Sequence, residues 1–178
     1  MEFTPEELAK QREKLKKEQE ENLRLIRKEE HYKNLIKKGD FNIQIKWRDK
    51  TSELDMEFYK KIFDNNFYEG FAASFSVVYL QLDRVLNFHC KSEKEADKIY
   101  PKNKLWDYSI GRSNRTTVKL LEYIESGNAL NPPVIDISEG NIILFYDGNH
   151  RVALARYLGL SEIPFAVRTV NIERLKKL

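Results

Sequence analysis

The stretch that decides the fold is "PPVIDISEGNIILFYDGNHRVALARYLGLSEIPFAV", residues 132–167. It begins with two short apolar runs, 132–138 and 141–147, which are separated by Glu139-Gly140. Short apolar runs on either side of a glycine-containing turn are typical of two paired strands. The first half of the stretch therefore predicts a β-hairpin.

The second half of the stretch predicts a helix and a further strand. The helix covers about 150–158 and ends at Gly159, since glycine readily adopts the left-handed conformation found at helix C-termini. The last strand is predicted over 163–169. A helix between two strands allows a right-handed crossover, so we expect strands 141–147 and 163–169 to be parallel neighbours.

The segments before this stretch complete an α+β pattern. A helix over 113–124 has Ser113 or Asn114 as its N-cap and stops at Gly127. Residues 73–86 predict a strand that runs into a turn or short helix.

Three further segments have weaker patterns. Residues 41–47, "FNIQIKW", alternate apolar and polar side chains, which is the period of a half-buried strand. Residues 52–67 predict a helix, and 89–104 a polar surface loop with some helix. We expect one α+β domain over 39–178, with a small mixed sheet and packed helices.

A charged helix is predicted over residues 1–38, ahead of that domain. Thr4, Pro5 and Glu7 have the spacing of a helix N-cap, first turn and capping box, and Gly39 supplies a stop. Residues 1–38 hold 11 Lys and Arg against 9 Asp and Glu, so the charge is mixed. We expect a solvated helix that lies partly on the domain; the alternative is a helix that binds a partner or a second copy. Its apolar stripe is too sparse for a coiled-coil seam and consists of Leu8, Leu15, Leu23 and Ile26.

Composition excludes several classes of protein. The 178 residues include one cysteine, Cys90, so no disulfide forms within the chain, and no apolar run is long enough to span a bilayer. The N-terminus is too charged for a signal peptide. A net charge of +3 does not indicate a globally basic nucleic-acid-binding surface. We expect a soluble cytoplasmic protein with no membrane partner.

The turn between the second hairpin strand and the helix is the candidate site. The first backbone N–H groups of a helix have no partner within the helix, and the helix dipole favours an anion there. Gly148 would let a ligand approach the backbone, and Asn149, His150 and Arg151 would add side-chain donors suited to phosphate oxygens. The alternative is an ordinary turn with Asn149 as helix cap, His150 partly buried and Arg151 solvated.

A second basic group lies at the start of the helix over 113–124. Cations there oppose the helix dipole, and an anion bound between this helix and the turn would relieve that. The alternative is that these side chains are solvated. The candidate phosphate-binding residues of this group are Arg112, Arg115, Thr116 and Lys119.

Residues 132–167 resemble the core of the ParB/sulfiredoxin-like superfamily, in which a strand ends in an Asp-Gly-x-His-Arg turn and a helix with a Leu-Gly stop follows. Residues 112–135, "RSNRTTVKLLEYIESGNALNPPVI", and 77–86, "VVYLQLDRVL", are similar to the preceding helix and first strand of that family. The resemblance covers about 75–170. It implies that the residues Gly148 to Arg151 hold the phosphates of ATP, ADP or CTP, with the start of helix 113–124 opposite.

The chain also departs from members of that superfamily. Sulfiredoxins carry their reactive cysteine where this chain has Asn149, so sulfinic acid reduction is not expected. Partition-type ParB proteins continue into a helix-turn-helix domain, which is not expected here. The kinases of the superfamily have a catalytic Glu after the first strand, where this chain has His89, with Glu93 and Glu95 a few residues later.

Metal chemistry is the remaining candidate. A nuclease of this superfamily type would need oxygen ligands for Mg²⁺ or Mn²⁺ near the phosphate site. Asp147 is the best placed, with Asp136 and Glu139 on the hairpin; alternatively, Asp147 only orders the turn. Trp106 and Tyr108 are candidate base-stacking side chains, whereas Phe145 and Tyr146 are expected in the core.

The leading hypothesis is a nucleotide-binding enzyme, an NTPase or phosphotransferase. His150 and Arg151 would stabilise phosphate charge, and Asp147 would orient a water, Mg²⁺ or the turn. One alternative is a DNA-binding protein or metal-dependent nuclease that uses the same turn on DNA phosphates. Another is a nucleotide-gated interaction protein whose N-terminal helix holds a partner or a second copy.

Overall fold

The fold is mixed α+β, as expected, in a computed structural model that describes residues 4–55, 57, 75–106 and 113–177. The described residues contain a four-stranded sheet and six helices. The helices are α1 Pro5–Lys38, α2 Leu82–Cys90, α3 Glu93–Ile99, α4 Asn114–Glu125, α5 Asn149–Tyr157 and α6 Ile172–Lys177. The strands are β1 Phe75–Gln81, β2 Val134–Ile137, β3 Ile143–Asp147 and β4 Glu162–Arg168.

The strand order in the sheet is β1-β4-β2-β3. The predicted hairpin is confirmed, because β2 and β3 pair antiparallel. The prediction that β3 and β4 are parallel neighbours is wrong: β2 lies between them and pairs parallel with β4, at Val134 with Ala166 and Ile135 with Val167. Burial explains the order. All four residues of β2 are buried, as in a central strand, whereas β3 alternates between buried and exposed residues, as in an edge strand.

The strand predicted over 41–47 is not part of the sheet. Within it, only Trp47 forms a β-bridge, with Leu130. The side chains nevertheless alternate as predicted, since 41, 43, 45 and 47 are half-buried and 42, 44 and 46 are exposed. The odd-numbered side chains pack against an apolar cluster between α1 and α4. The alternation therefore reflects an extended segment with one buried face and no neighbouring strand.

Helix α1 begins and ends where the sequence predicts. Thr4 and Glu7 form a capping box, and Gly39 ends the helix in the left-handed conformation. Leu25 and Tyr32 are buried against the rest of the molecule, and the Tyr32 hydroxyl donates to Glu125 of α4 over 2.7 Å. Burial, with this hydrogen bond, raises the pKa of Tyr32. Residues 5–20 are exposed throughout, a length of about 24 Å, so α1 lies only partly on the domain.

The other predicted elements are confirmed where they fall on described residues. The segment 73–86 contains β1 and the start of α2, 89–104 contains α3, and 113–124 matches α4 with Ser113 as its N-cap. The helix predicted over 52–67 lies largely outside the described residues. None of the described helices has an apolar stretch long enough to cross a membrane.

Arg156 connects three helices from a buried position. Its side chain is 2% exposed, and its Nε donates to Asp83 of α2 over 2.9 Å. Its Nη1 donates to two carbonyl oxygens, that of Ala96 over 2.9 Å and that of Tyr100. Its Nη2 donates to the carboxylate of Asp97 over 2.7 Å. Arg156 of α5 therefore holds α2 and α3 through four hydrogen bonds.

Asp83 makes this connection dependent on pH. Partial burial acts to raise the pKa of its carboxyl, but the hydrogen bonds from Lys102 and Arg156 outweigh burial and lower that pKa below its usual 3.8. A lowered folded-state pKa stabilises the fold above the unfolded-state pKa, and this contribution is lost as the pH falls through the folded-state pKa.

Replacing Asp83 by asparagine is expected to destabilise the protein at neutral pH only. The loss at about pH 7 should be about 1 kcal/mol or less, because the carboxylate is half-exposed. It should shrink as the pH falls from about 7 to about 2, because wild-type Asp83 becomes protonated as the pH falls through its lowered folded-state pKa. Urea unfolding at both values measures this, with Asp40→Asn, an exposed carboxylate, as the control. A loss that persists at the acidic pH would show that charge is not its cause.

Candidate functional site

The candidate turn joins the end of β3 to the start of α5. Gly148 is the N-cap of α5, with a φ of 100°, and its carbonyl accepts from the backbone N–H of Val152 over 2.9 Å. A Cβ on Gly148 would lie 2.6 Å from the Cβ of Pro133 and 2.7 Å from its Cα. Gly148 is thus needed for its conformation and for the close approach of Pro133.

Arg151 is turned into the protein. It is 7% exposed, and its Nη1 donates to the carbonyl oxygens of Asn131 and, over 3.1 Å, Pro132. Its Nη2 donates to the Asp147 carboxylate, which is itself mostly buried. The guanidinium is neither solvated nor presented on the surface as a phosphate ligand. Arg151 and Asp147 instead order the turn from within, by a side-chain ion pair.

Asn149 does not cap the helix. Its side-chain Oδ1 accepts from the hydroxyl of Tyr100 over 2.8 Å, and Tyr100 is buried. The Nδ2 of Asn149 makes no hydrogen bond to any residue that the structure describes. Since Asn149 is exposed, this amide is a donor on the surface of the turn.

His150 joins the N-termini of two helices. Its Nε2 accepts from the backbone N–H of Ser113 over 2.9 Å, and Ser113 is the N-cap of α4. The start of α4 therefore lies opposite the turn. Both helix dipoles direct their positive ends to this region, which favours negative charge.

The residues of the second basic group do not all face the same part of the molecule. Arg115 and Thr116 are exposed in the first turn of α4, and Arg115 has no ion pair with a described residue. Lys119 lies 3.6 Å from Glu21 of α1, so it faces α1 and not the turn. Arg112 lies outside the described residues.

The three candidate metal ligands are not brought together. Asp136 is 3% exposed, and its carboxylate accepts from the backbone N–H of Ile137, from Asn171 and from Arg168. Asp147 is paired with Arg151, and Glu139 is exposed on the hairpin turn. Within the described ranges, no three His, Cys, Asp or Glu side chains form a group suited to a metal ion. Asp136, Asp147 and Glu139 therefore do not form one common group of ligands for Mg²⁺.

The aromatic candidates have structural positions. Trp106 is 6% exposed in the cluster between α1 and α4, so it offers no surface for stacking, and Tyr108 lies outside the described residues. Phe145 packs in the core, with its ring 4.6 Å from that of His89 between centroids. Tyr146, expected in the core, is instead 43% exposed on edge strand β3.

Sequence reasoning missed the residues that α1 brings to this region. The carboxylate of Glu29 accepts from Nδ2 of Asn114 over 2.7 Å, and Lys33 lies 2.7 Å from the same carboxylate. Asn114 is the residue after Ser113, so these side chains lie beside the junction of α4 and α5. Glu29 and Asn114 are 85 positions apart, and no local pattern signals their contact.

Comparisons of the chain with protein-family models, with curated proteins and with solved structures gave no match.

Proposed function

We propose that this chain binds a nucleotide by its phosphates at the junction of the α4 and α5 N-termini. The observation that carries the proposal is the hydrogen bond from the backbone N–H of Ser113 to His150, which brings two helix N-termini together. The N–H of Ser113 is used by His150, so a phosphate oxygen would accept from other backbone N–H groups in the first turns of the two helices, whose dipoles stabilise its charge.

Three exposed donors supplement the backbone. The Nδ2 of Asn149 is held at the surface because Tyr100 binds the other atom of that amide. Arg115 and Thr116 lie in the first turn of α4. A guanidinium, a hydroxyl and an amide are the donors commonly used for phosphate. Arg151 contributes indirectly, because its bonds to Asp147 and to the 131–132 carbonyls fix the turn.

The resemblance to the ParB/sulfiredoxin-like superfamily is the reason for choosing a nucleotide over a simple anion. The equivalent turn of that superfamily holds ATP, ADP or CTP. Hydrolysis or phosphoryl transfer is the further step of the proposal: His150 would stabilise the charge that develops on the phosphoryl group from its Nδ1, since its Nε2 accepts from Ser113. Asp147 has no catalytic role in the proposal, because its carboxylate is paired with Arg151.

Nucleotide binding is expected to raise the melting temperature of the wild-type protein. ATP, ADP, CTP, GTP and inorganic phosphate are tested separately, because a ligand that binds only the folded state stabilises it. In His150→Ala the shift should fall by more than half. The matched control is Lys119→Met, a cation on α4 that faces α1, and its shift should equal that of wild type.

The absence of a shift with all five ligands would overturn the proposal. Equal shifts in wild type and His150→Ala would place the ligand elsewhere. Release of phosphate from the nucleotide with the largest shift tests the catalytic step. Nicking of supercoiled DNA by the same samples would favour the DNA-directed alternative.

A further inference from the structure

An exposed apolar stripe runs along helix α1. Its four side chains lie within about 80° of one another around the helix axis, and each is between 42% and 57% exposed. The stripe consists of Leu8, Leu15, Leu23 and Ile26. Its centre lies about 120° around the axis from Leu25 and Tyr32, which are buried against the domain. The stripe therefore faces solvent on a side of α1 that the domain does not cover.

The charged side chains on the same side of α1 are exposed and not used within the helix. Those that form no ion pair with any residue in the described part of the chain are Arg12, Lys16, Glu20, Arg27 and Glu30. On its other sides α1 holds pairs such as Lys17 with Glu13, which lie 2.8 Å apart. The charges beside the stripe are therefore available to a second molecule.

We propose that the stripe pairs two copies of this chain through antiparallel α1 helices. Leu15 and Leu23 each lie four positions from Gln19. A two-fold axis at Gln19 therefore places Leu15 of one copy opposite Leu23 of the other, and the contact occurs twice because a two-fold interface repeats every contact. This inference goes beyond the proposed function and does not depend on a ligand.

Charge complementarity favours a second copy in this orientation. The cations Arg12 and Lys16 precede the two-fold axis, whereas the carboxylates of Glu20 and Glu30 follow it. The antiparallel pair places Lys16 beside Glu20 of the other copy and Arg12 within reach of its Glu30, while Arg27 lies opposite a neutral position. Parallel helices would instead place each charge beside the same charge of the other copy, which is unfavourable.

The fold leaves room for the second copy. Residues 5–20 are exposed throughout, so the first half of α1 carries no part of its own domain. In the antiparallel pair this half lies beside the second half of the other helix, where Leu25 and Tyr32 hold the other domain. The two domains then lie at opposite ends of the pair and on sides turned away from the stripes.

The spacing of the stripe explains how it can pair without being a heptad coiled coil. Positions 8, 12 and 15 recur eleven residues later at 19, 23 and 26, and an eleven-residue repeat leaves helices close to straight. Two of these six positions are polar, Arg12 and Gln19, and polar residues at such positions lower stability. We therefore expect a dimer of modest, micromolar affinity.

Sedimentation velocity of the full chain from about 1 to about 300 µM tests the inference. Wild type should pass from monomer to dimer over this range. Leu15→Ala should raise the dissociation constant of the dimer at least about tenfold, because each dimer loses two leucine contacts. Alanine preserves helix propensity, and circular dichroism checks that α1 remains folded. The control is Lys10→Glu, an exposed position on the opposite side of α1, whose dissociation constant should stay within about twofold of wild type.

Charge reversal separates a contact between copies from a contact within one helix. Lys16→Glu and Glu20→Lys should each weaken the dimer about tenfold, because each places like charges beside each other twice. An equimolar mixture of the two variants should regain the wild-type affinity, since every mixed dimer again has two contacts of opposite charge. Like charges remain at 16 and 20 within each chain of the mixture, so an effect on the helix alone would not be reversed by mixing.

Several results would overturn the inference. Wild type that stays monomeric up to the highest concentration would do so, and a dimer unaffected by Leu15→Ala would form through another surface. A mixture no tighter than the single variants would exclude the contact between Lys16 and Glu20. Single variants equal to wild type, together with a mixture tighter than wild type, would indicate parallel helices and overturn the antiparallel pair. Nucleotide binding is measured separately, so the proposed function stands or fails independently of these results.

Discussion

Replacing Arg156 by methionine is expected to lower the free energy of unfolding by about 3 kcal/mol. Methionine fills most of the same volume, so the loss measures the polar contacts. The carbonyl oxygens of Ala96 and Tyr100 lose a charged donor in a region where both residues are buried. The half-exposed carboxylates of Asp83 and Asp97 can be solvated instead, which keeps the loss below the upper range for a broken buried ion pair.

Urea unfolding at neutral pH measures this loss. The matched control is Arg84→Met, since Arg84 is exposed on α2 and donates one hydrogen bond, to the carbonyl oxygen of Lys177 over 3.2 Å. The control should change the free energy of unfolding by about 0.5 kcal/mol at most. Similar losses in the two variants would contradict the central position assigned to Arg156.

Local signals in the chain predict most element boundaries. The capping residues Thr4 and Glu7, the stops at Gly39 and Gly159, and the hairpin around Gly140 each depend on a few neighbouring residues. The order of the strands in the sheet depends instead on which strands are buried on both faces. Strand β2 is buried in this way, so it lies inside the sheet, next to β4. Segment 41–47 shows the same limit, because side-chain alternation reports a buried face and not a paired backbone.

The two arginines of α5 are harder to interpret from sequence. The turn motif predicts Arg151 as a phosphate ligand or a solvated side chain, and no motif draws attention to Arg156. All residues from Arg151 to Arg156 are buried. The run "RVALAR" has only small or apolar residues between its arginines, which is the pattern of a helix covered on all sides. Arginines in such a helix need internal partners, so the buried pairing could have been inferred from this run.

The candidate site is predictable only in part. The turn and the start of α4 follow from the resemblance and from helix electrostatics. The partners of Asn149 and Asn114, which are Tyr100 and Glu29, lie far away in sequence. Contacts of this kind depend on how α1 and α3 pack, and packing has no short-range signature in the chain.

Replacing Gly148 by alanine is expected to lower the free energy of unfolding by about 3 kcal/mol. Two costs add at this position. A φ of 100° is unfavourable for any residue with a Cβ, and the new methyl group would lie 2.7 Å from the backbone Cα of Pro133. Pro133 precedes the buried strand β2, so it cannot move away without shifting the centre of the sheet.

Two other glycines separate these costs. Gly159 has a φ of 73°, but no atom lies within 4 Å of the point that an added methyl group would occupy, so Gly159→Ala should cost about 1 kcal/mol through backbone strain alone. Gly140 has neither a positive φ nor a close neighbour, and Gly140→Ala should stay within about 0.5 kcal/mol of wild type. Urea unfolding of the three variants should therefore rank Gly148 far above Gly159, and Gly159 above Gly140. A Gly148→Ala variant no less stable than Gly159→Ala would mean that Pro133 yields to the methyl group, and that the turn does not depend on this contact.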